Sequence, residues 1–111
     1  MLTVRPGEEV IETLTKQAAD QGITNGAIVS LIGAVDECAI SNMLAEDAGT
    51  DIISEYQQPF ELSGTGEIQN GKVHVHVVLG REGDTALTGH LHWARVETFF
   101  VHAYTLTLED G

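Results

Sequence analysis

The amino-acid sequence predicts an α/β fold of the α+β type, with one N-terminal helix packed on a mostly antiparallel sheet of about seven strands. Two observations support this prediction. Apolar residues recur at helical spacing between residues 8 and 22, whereas much of the remaining chain alternates apolar and polar residues as strands do. Turn signals, of which Asn70-Gly71 is the strongest, separate the alternating runs. A chain of 111 residues suits one core, so residues 1–111 are predicted to form a single domain.

The first predicted elements are a short strand and the helix. Met1–Arg5 is a short apolar run that ends at the break Pro6-Gly7. Glu8 opens the helix, because acidic side chains in a first turn are stabilised by the positive end of the helix macrodipole. Gly22 provides the C-terminal stop. The apolar stripe expected to face the core consists of Val10, Ile11, Leu14 and Ala18.

Three strands are predicted to follow the helix. Ala27–Val35 is almost continuously apolar, which indicates a strand covered on both faces, with Gly33 at a bulge or a close backbone approach. Cys38–Leu44 is predicted to return as the next strand, and its first residue, the single cysteine, is expected to be a small buried hydrophobic residue. Residues 45–50 are predicted to form a polar loop before a further strand, Asp51–Gln57.

The C-terminal half is predicted to consist of strands joined by turns. Gly64-Thr65-Gly66 lacks the Lys-Ser/Thr ending of a phosphate-binding loop and is interpreted as a turn or bulge. Asn70-Gly71 suits a type I′ hairpin turn, and residues 80–84 form a second turn. The predicted strands are Gly66–Gln69, Lys72–Leu79, Ala86–Ala94 and Val96–Leu108.

Four of the five histidines form two His-x-His pairs on neighbouring predicted strands, His74 with His76 and His90 with His92. Residues two apart in a strand share a face, and cross-strand neighbours have Cβ atoms roughly 5 Å apart. Pairing of the two strands would therefore gather these imidazoles on one face of the sheet. The opposite, apolar face is predicted to carry Val73, Val75, Val77, Leu79, Leu87, Leu91 and Trp93.

The charge of the chain restricts its partners. Seventeen acidic residues against five lysines and arginines give a net charge of −12. Nucleic-acid affinity comes largely from basic side chains that neutralise phosphates, so direct nucleic-acid binding is disfavoured and cation binding is favoured. No run approaches the roughly 20 apolar residues that span a bilayer, and the N-terminal sequence lacks a signal-peptide pattern. A cytoplasmic protein without membrane contact is expected.

The succession PGEEV, AIVSLIGAV, PFELSGTGEI, GKVHVHVVL and TGHLHWARV resembles the PPC domain, the "plants and prokaryotes conserved" domain, over nearly the whole chain. The resemblance implies a compact α/β domain of the stand-alone prokaryotic type, assembled as a homotrimer. Plant members carry AT-hook motifs, and prokaryotic members are often labelled DNA-binding by that association. This chain has no Arg-Gly-Arg-Pro hook, and it has Thr88 where the family often has a glycine.

Three histidines that match the family's recurrent ones, His74, His76 and His90, are the candidate ligands of a divalent metal, with zinc first. Three protein ligands plus water make the open type of zinc site, although imidazole also suits copper, iron and nickel. The alternative is that these histidines are half-buried strand residues that line a trimer interface, and His102 is assigned to that class. Additional candidate groups, as further ligands or as orienting carboxylates, are His92, Glu61 and Glu97.

The sequence is compatible with three hypotheses about function. The favoured hypothesis is a metal-binding or regulatory homotrimer that is not an enzyme. The second is a metal-dependent enzyme acting on a small molecule, with metal-bound water as the nucleophile and Glu61 or Glu97 as the base. The third is a DNA-associated regulator like the plant relatives. The sequence names neither the small-molecule ligand nor the metal.

Overall fold

The computed structural model describes residues 1–108, and within this range one helix packs on one sheet of eight strands. The elements are β1 (Leu2–Val4), α1 (Val10–Asp20), β2 (Gly26–Val35), β3 (Glu37–Leu44), β4 (Asp47–Tyr56), β5 (Phe60–Gln69), β6 (Lys72–Arg81), β7 (Thr85–Arg95) and β8 (Val101–Thr107). In space the strands follow the order β1-β8-β2-β5-β6-β7-β3-β4, and every neighbouring pair is antiparallel. The predicted fold class is confirmed, with eight strands where about seven were expected.

Helix α1 is fixed at its N-terminus by the side chain of Glu9. The carboxylate accepts hydrogen bonds from the backbone N–H groups of Ile11 and Glu12, at 2.9 and 2.8 Å. It also accepts the N–H of Ala94 at 2.9 Å, which ties the start of the helix to β7. The predicted apolar stripe faces the core, and its fully buried members are Val10, Leu14 and Ala18. No helix within residues 1–108 is long and apolar enough to cross a lipid bilayer.

The sheet has an inner face, which packs against α1 and carries the core, and an outer face on the opposite side. The core residues Leu31, Val77 and Leu91 belong to the inner face and are at most 2% exposed. Ile32 and His76 belong to the outer face, because adjacent residues of a strand point to opposite sides. Cys38 is also part of the core, and burial raises the pKa of its thiol to about 11, so it is a packing residue as predicted.

Within one chain, strand β2 is covered on its inner face only, which corrects the prediction for Ala27–Val35. Val29 and Ile32 are 59% and 55% exposed. A bulge at Val29 adds one residue between Ile28 and Leu31, so both of these point to the core.

Of the two alternatives predicted for Gly33, the structure confirms the close backbone approach. A Cβ at this position would overlap the carbonyl oxygen of Phe100, which accepts a hydrogen bond from the N–H of Ala34 at 2.9 Å. A side chain at Gly33 would therefore push β2 away from the start of β8.

The prediction of a turn or bulge at Gly64-Thr65-Gly66 is wrong. These residues lie inside β5 in regular register with β6, where Thr65 is opposite His76. A Cβ at Gly64 or Gly66 would overlap the carbonyl oxygen of His76 or His74. The glycines thus allow close approach of two strands within the sheet, and β5 begins at Phe60, earlier than predicted.

The starts of two other strands differ from the prediction by several residues. Strand β4 begins at Asp47, inside the expected loop, since it pairs with β3. Strand β8 begins at Val101. The segment 96–100 before it lies outside the sheet and is bound to Asp36 by hydrogen bonds. The Asp36 carboxylate accepts hydrogen bonds from the N–H of Glu97 at 2.8 Å and from the N–H and hydroxyl of Thr98 at 3.1 and 2.7 Å. The Thr98 hydroxyl, followed by these backbone donors, lowers the pKa of Asp36.

A bulge in β7 overturns the placement of Trp93 on the apolar face. Leu91 is opposite Ile40, whereas Trp93 is opposite Ala39, so β7 has one extra residue at His92. Directly opposite residues share a face, so Trp93 lies on the outer face. Ala94 takes the inner position and is fully buried.

The close contact of β5 with β6 gives the first prediction. Gly64→Ala would place a methyl group against a backbone oxygen and should lower the free energy of unfolding by roughly 2 kcal/mol or more. Gly80→Ala is the matched control, since a Cβ there meets its nearest neighbour at 3.8 Å. Urea unfolding measures both variants. Equal stability of the two would show that the glycines in β5 are not required by the packing.

Candidate metal centre

The candidate site is built on the pairing of β6 with β7. In this register His76 is directly opposite His90, and Val77 is opposite Gly89. The alternation of β6 buries Val77 on the inner face while His74 and His76 project from the outer face. The sequence prediction of a shared face is therefore confirmed for His74, His76 and His90 of the four histidines.

The three imidazoles lie close enough to share an ion. One nitrogen from each of His74, His76 and His90 lies within 4.8 Å of the others. The ring centroid of His74 lies 4.9 Å from that of His76 and 4.8 Å from that of His90. Nitrogen ligands of a tetrahedral zinc ion are roughly 3.4 Å apart, since each Zn–N bond is about 2.0–2.1 Å long. His74 and His76 are exposed, so small ring rotations can close this difference, and the donor set fits zinc.

Two carboxylates flank the cluster on opposite sides. Glu67 is opposite His74 on β5, and its Oε1 lies 3.8 Å from His74 Nδ1. Both side chains are about half exposed, so this ion pair contributes little to stability. Asp51 on β4 borders a cleft of about 440 Å³ whose other wall includes the three histidines.

His90 is the least exposed of the three and is shifted towards its neutral form. Desolvation is the largest cause of its lowered pKa, followed by repulsion from His74, His92 and His76, and Asp51 opposes these effects. A neutral imidazole is the form that binds a metal ion. The fold thus favours the ligand state of His90 near neutral pH.

His92 and His102 stand in different relations to this cluster. The ring of His92 lies 4.8 Å from that of His90. Its Nε2 is buried and has no hydrogen-bond partner within the described chain. His102 lies on β8, which is separated from β6 by β2 and β5, and its ring is 4.3 Å from that of Phe100. His102 is therefore outside the cluster, as expected.

The two acids named from the sequence lie away from the histidines of their own chain. Glu61 is opposite Gly80, four residues along β6 from His76, which corresponds to roughly 13 Å. Glu61 borders a separate cleft, which Phe99 also borders. Glu97 follows β7 and forms an ion pair with Arg95 at 3.6 Å.

The sequence interpretation missed Glu67 and Asp51. The Asn70-Gly71 turn would have predicted the position of Glu67. A two-residue hairpin loop pairs Gln69 with Lys72, and hence Glu67 with His74. No local signal could identify Asp51, because its position depends on β3 pairing with β7 and β4 pairing with β3.

The comparisons with known proteins agree on the fold. The model of the Plants and Prokaryotes Conserved (PCC) domain matches residues 1–108. No curated protein matches the sequence. A plant- and prokaryote-conserved (PPC) protein of Pyrococcus horikoshii superposes with a TM-score of 0.82 at 24% identity, covering 97% of this chain and 77% of that chain.

Two further solved structures are similar to this chain. The "Metal-containing Protein" of Archaeoglobus fulgidus has 28% identity and a TM-score of 0.77, covering 97% of this chain and 77% of that chain. A "Putative DNA-binding protein" of Ralstonia eutropha has 21% identity and a TM-score of 0.80, covering 96% of this chain and 75% of that chain.

The lowered pKa of His90 gives a pH prediction for the metal-free protein. As pH falls through about 6.5, the unfolded chain takes up the proton of this histidine before the folded chain does, so stability falls. Below the folded pKa this loss is complete. The free energy of unfolding should therefore decline more steeply between pH 7.5 and 5 in the wild type than in His90→Asn, measured in chelator at fixed protein concentration. His102→Asn should keep the wild-type slope, and equal slopes in all three proteins would refute the assignment.

Proposed function

The chain belongs to the Plants and Prokaryotes Conserved (PCC) domain family, and on that premise we propose that it is a metal-binding or regulatory homotrimer of the cytoplasm. The proposed ligands are His74, His76 and His90, and zinc is the first candidate. The observation that carries the proposal is the convergence of three imidazole nitrogens within 4.8 Å of one another on one face of the sheet. The name of the Archaeoglobus fulgidus relative supports it.

The arrangement would leave an open coordination position. Three histidines would supply three ligands to a tetrahedral ion, and the fourth position would remain for water or a ligand. Bound zinc would supply a Lewis-acidic centre at that position. Within this chain Glu61 and Glu97 lie away from the cluster, and the carboxylates that flank it are Glu67 and Asp51. His92 is a neighbour of His90 and is proposed to support its orientation.

Direct recognition of DNA is not part of this proposal, although two similar structures carry that name. A net charge of −12 repels phosphates, and the five basic residues are scattered along the sequence. The cluster also lacks a neighbouring lysine or arginine among the residues that border its cleft. Any DNA association would therefore depend on a second protein.

The metal prediction concerns protein purified without a histidine tag. Elemental analysis should find about one zinc or similar divalent ion per chain. The double variant with His74→Ala and His76→Ala should lose the ion, because a single remaining imidazole cannot hold it at micromolar concentration.

His102→Ala is the matched control for this experiment, because it removes a histidine from the outer face away from the cluster. It should retain the wild-type metal content. Equal metal content in the double variant and the wild type would contradict the assignment of the ligands.

Exposed apolar side chains support self-association. The β2–β8 patch, defined as Ile32, Phe100, Tyr104 and Leu106, consists of residues that are 42–58% exposed in the single chain. Contiguous apolar patches on soluble domains mark association sites. We propose that other copies of the chain cover this patch in the homotrimer.

Light scattering after size exclusion tests the trimer. The wild type should have three times the chain mass of 11.9 kDa. Ile32→Lys should dissociate it, since a charge would be buried without a partner. Ile52→Lys is the control, because Ile52 is similarly exposed, at 52%, but lies on β4 at the far edge of the sheet. A trimer that survives Ile32→Lys would remove the patch from the interface.

A further inference from the structure

The cleft beside the histidine cluster has two chemically different walls. One wall holds His74, His76 and His90, and the other is formed by β3 and β4 with Asp51 at its rim. Its volume of about 440 Å³ falls in the range of sites for small molecules. The shape therefore suits a compact ligand that reaches from the metal position to β4.

The polar side chains of the second wall that share the face of the histidines are Ser41 and Asp51. Ser41 is opposite His90 on β7, and Asp51 is opposite Met43, two residues further along β3. The Ser41 hydroxyl can donate or accept a hydrogen bond, whereas the Asp51 carboxylate only accepts. The Asp51 end of the cleft therefore favours a ligand group that donates hydrogen bonds.

The charged side chains that border the cleft also restrict the ligand. Asp51 is the only carboxylate among the described residues that border this cleft, and none of them is a lysine or arginine. Within one chain, a negative group on a ligand would be neutralised at the metal end. A positive group would be stabilised at the Asp51 end.

We propose that the cleft binds a small dipolar molecule, whose electron-pair donor atom occupies the open metal position and whose protonated amine contacts Asp51. This inference rests on the proposed metal-binding function and adds the ligand class. Asp51 acts here as a specificity residue, because it selects the amine end and does not bind the ion.

Two thiols that differ at one end test the proposal. Cysteamine and 3-mercaptopropionate both offer a thiolate to the metal, and they end in an ammonium and a carboxylate group. In protein loaded with Co²⁺, thiolate binding gives a sulfur-to-cobalt charge-transfer band, and titration yields a Kd for each thiol. The ratio of the two Kd values, compared between variants, cancels their intrinsic difference in metal affinity.

The ratio should favour cysteamine in the wild type, and Asp51→Asn should reduce this preference by roughly threefold or more. Asp51→Glu should retain it. Glu55→Gln is the matched control, because it removes one exposed charge from the same strand, four residues along β4 and outside the cleft. This control should keep the wild-type ratio.

The outcomes separate this inference from the metal proposal. If the wild type binds no Co²⁺, the metal-binding function fails and the ligand class fails with it. If Co²⁺ binds but neither thiol gives the charge-transfer band, or if Asp51→Asn leaves the ratio unchanged, the ligand class alone is overturned.

Discussion

The pairing of β6 with β7 in the register that puts His76 opposite His90 is the constraint on which the site depends. A slip of one residue would turn the histidines towards the core and expose the apolar residues between them. Burial of Val77 and Leu91 on the inner face makes that slip unfavourable. The hydrophobic core thus holds the imidazoles together, although these contribute little to the core themselves.

The sequence predicted this arrangement because alternation is a local signal. It could not predict the end of β7, where a bulge at His92 moves Trp93 to the outer face. A bulge inserts one residue into a pairing and is invisible without the partner strand. The same limit applies to β2, where a bulge at Val29 brings both Ile28 and Leu31 to the core.

The site itself was predictable in part for the same physical reason. His74, His76 and His90 came from strand spacing, whereas Asp51 enters through a strand order that places β3 and β4 beyond β7. Glu61 and Glu97, the acids predicted from the sequence, lie away from the histidines of the same chain. A homotrimer would change which groups surround the open position, because the histidines and the β2–β8 patch occupy the same outer face.

The central claim is that His74, His76 and His90 bind one metal ion, and anomalous X-ray scattering tests it most directly. Crystals of untagged protein, grown without added metal, should give an anomalous peak within about 2.0–2.1 Å of one nitrogen from each ring. Data on both sides of the zinc absorption edge would identify the ion. Well-ordered rings turned away from one another, without an anomalous peak between them, would contradict the account.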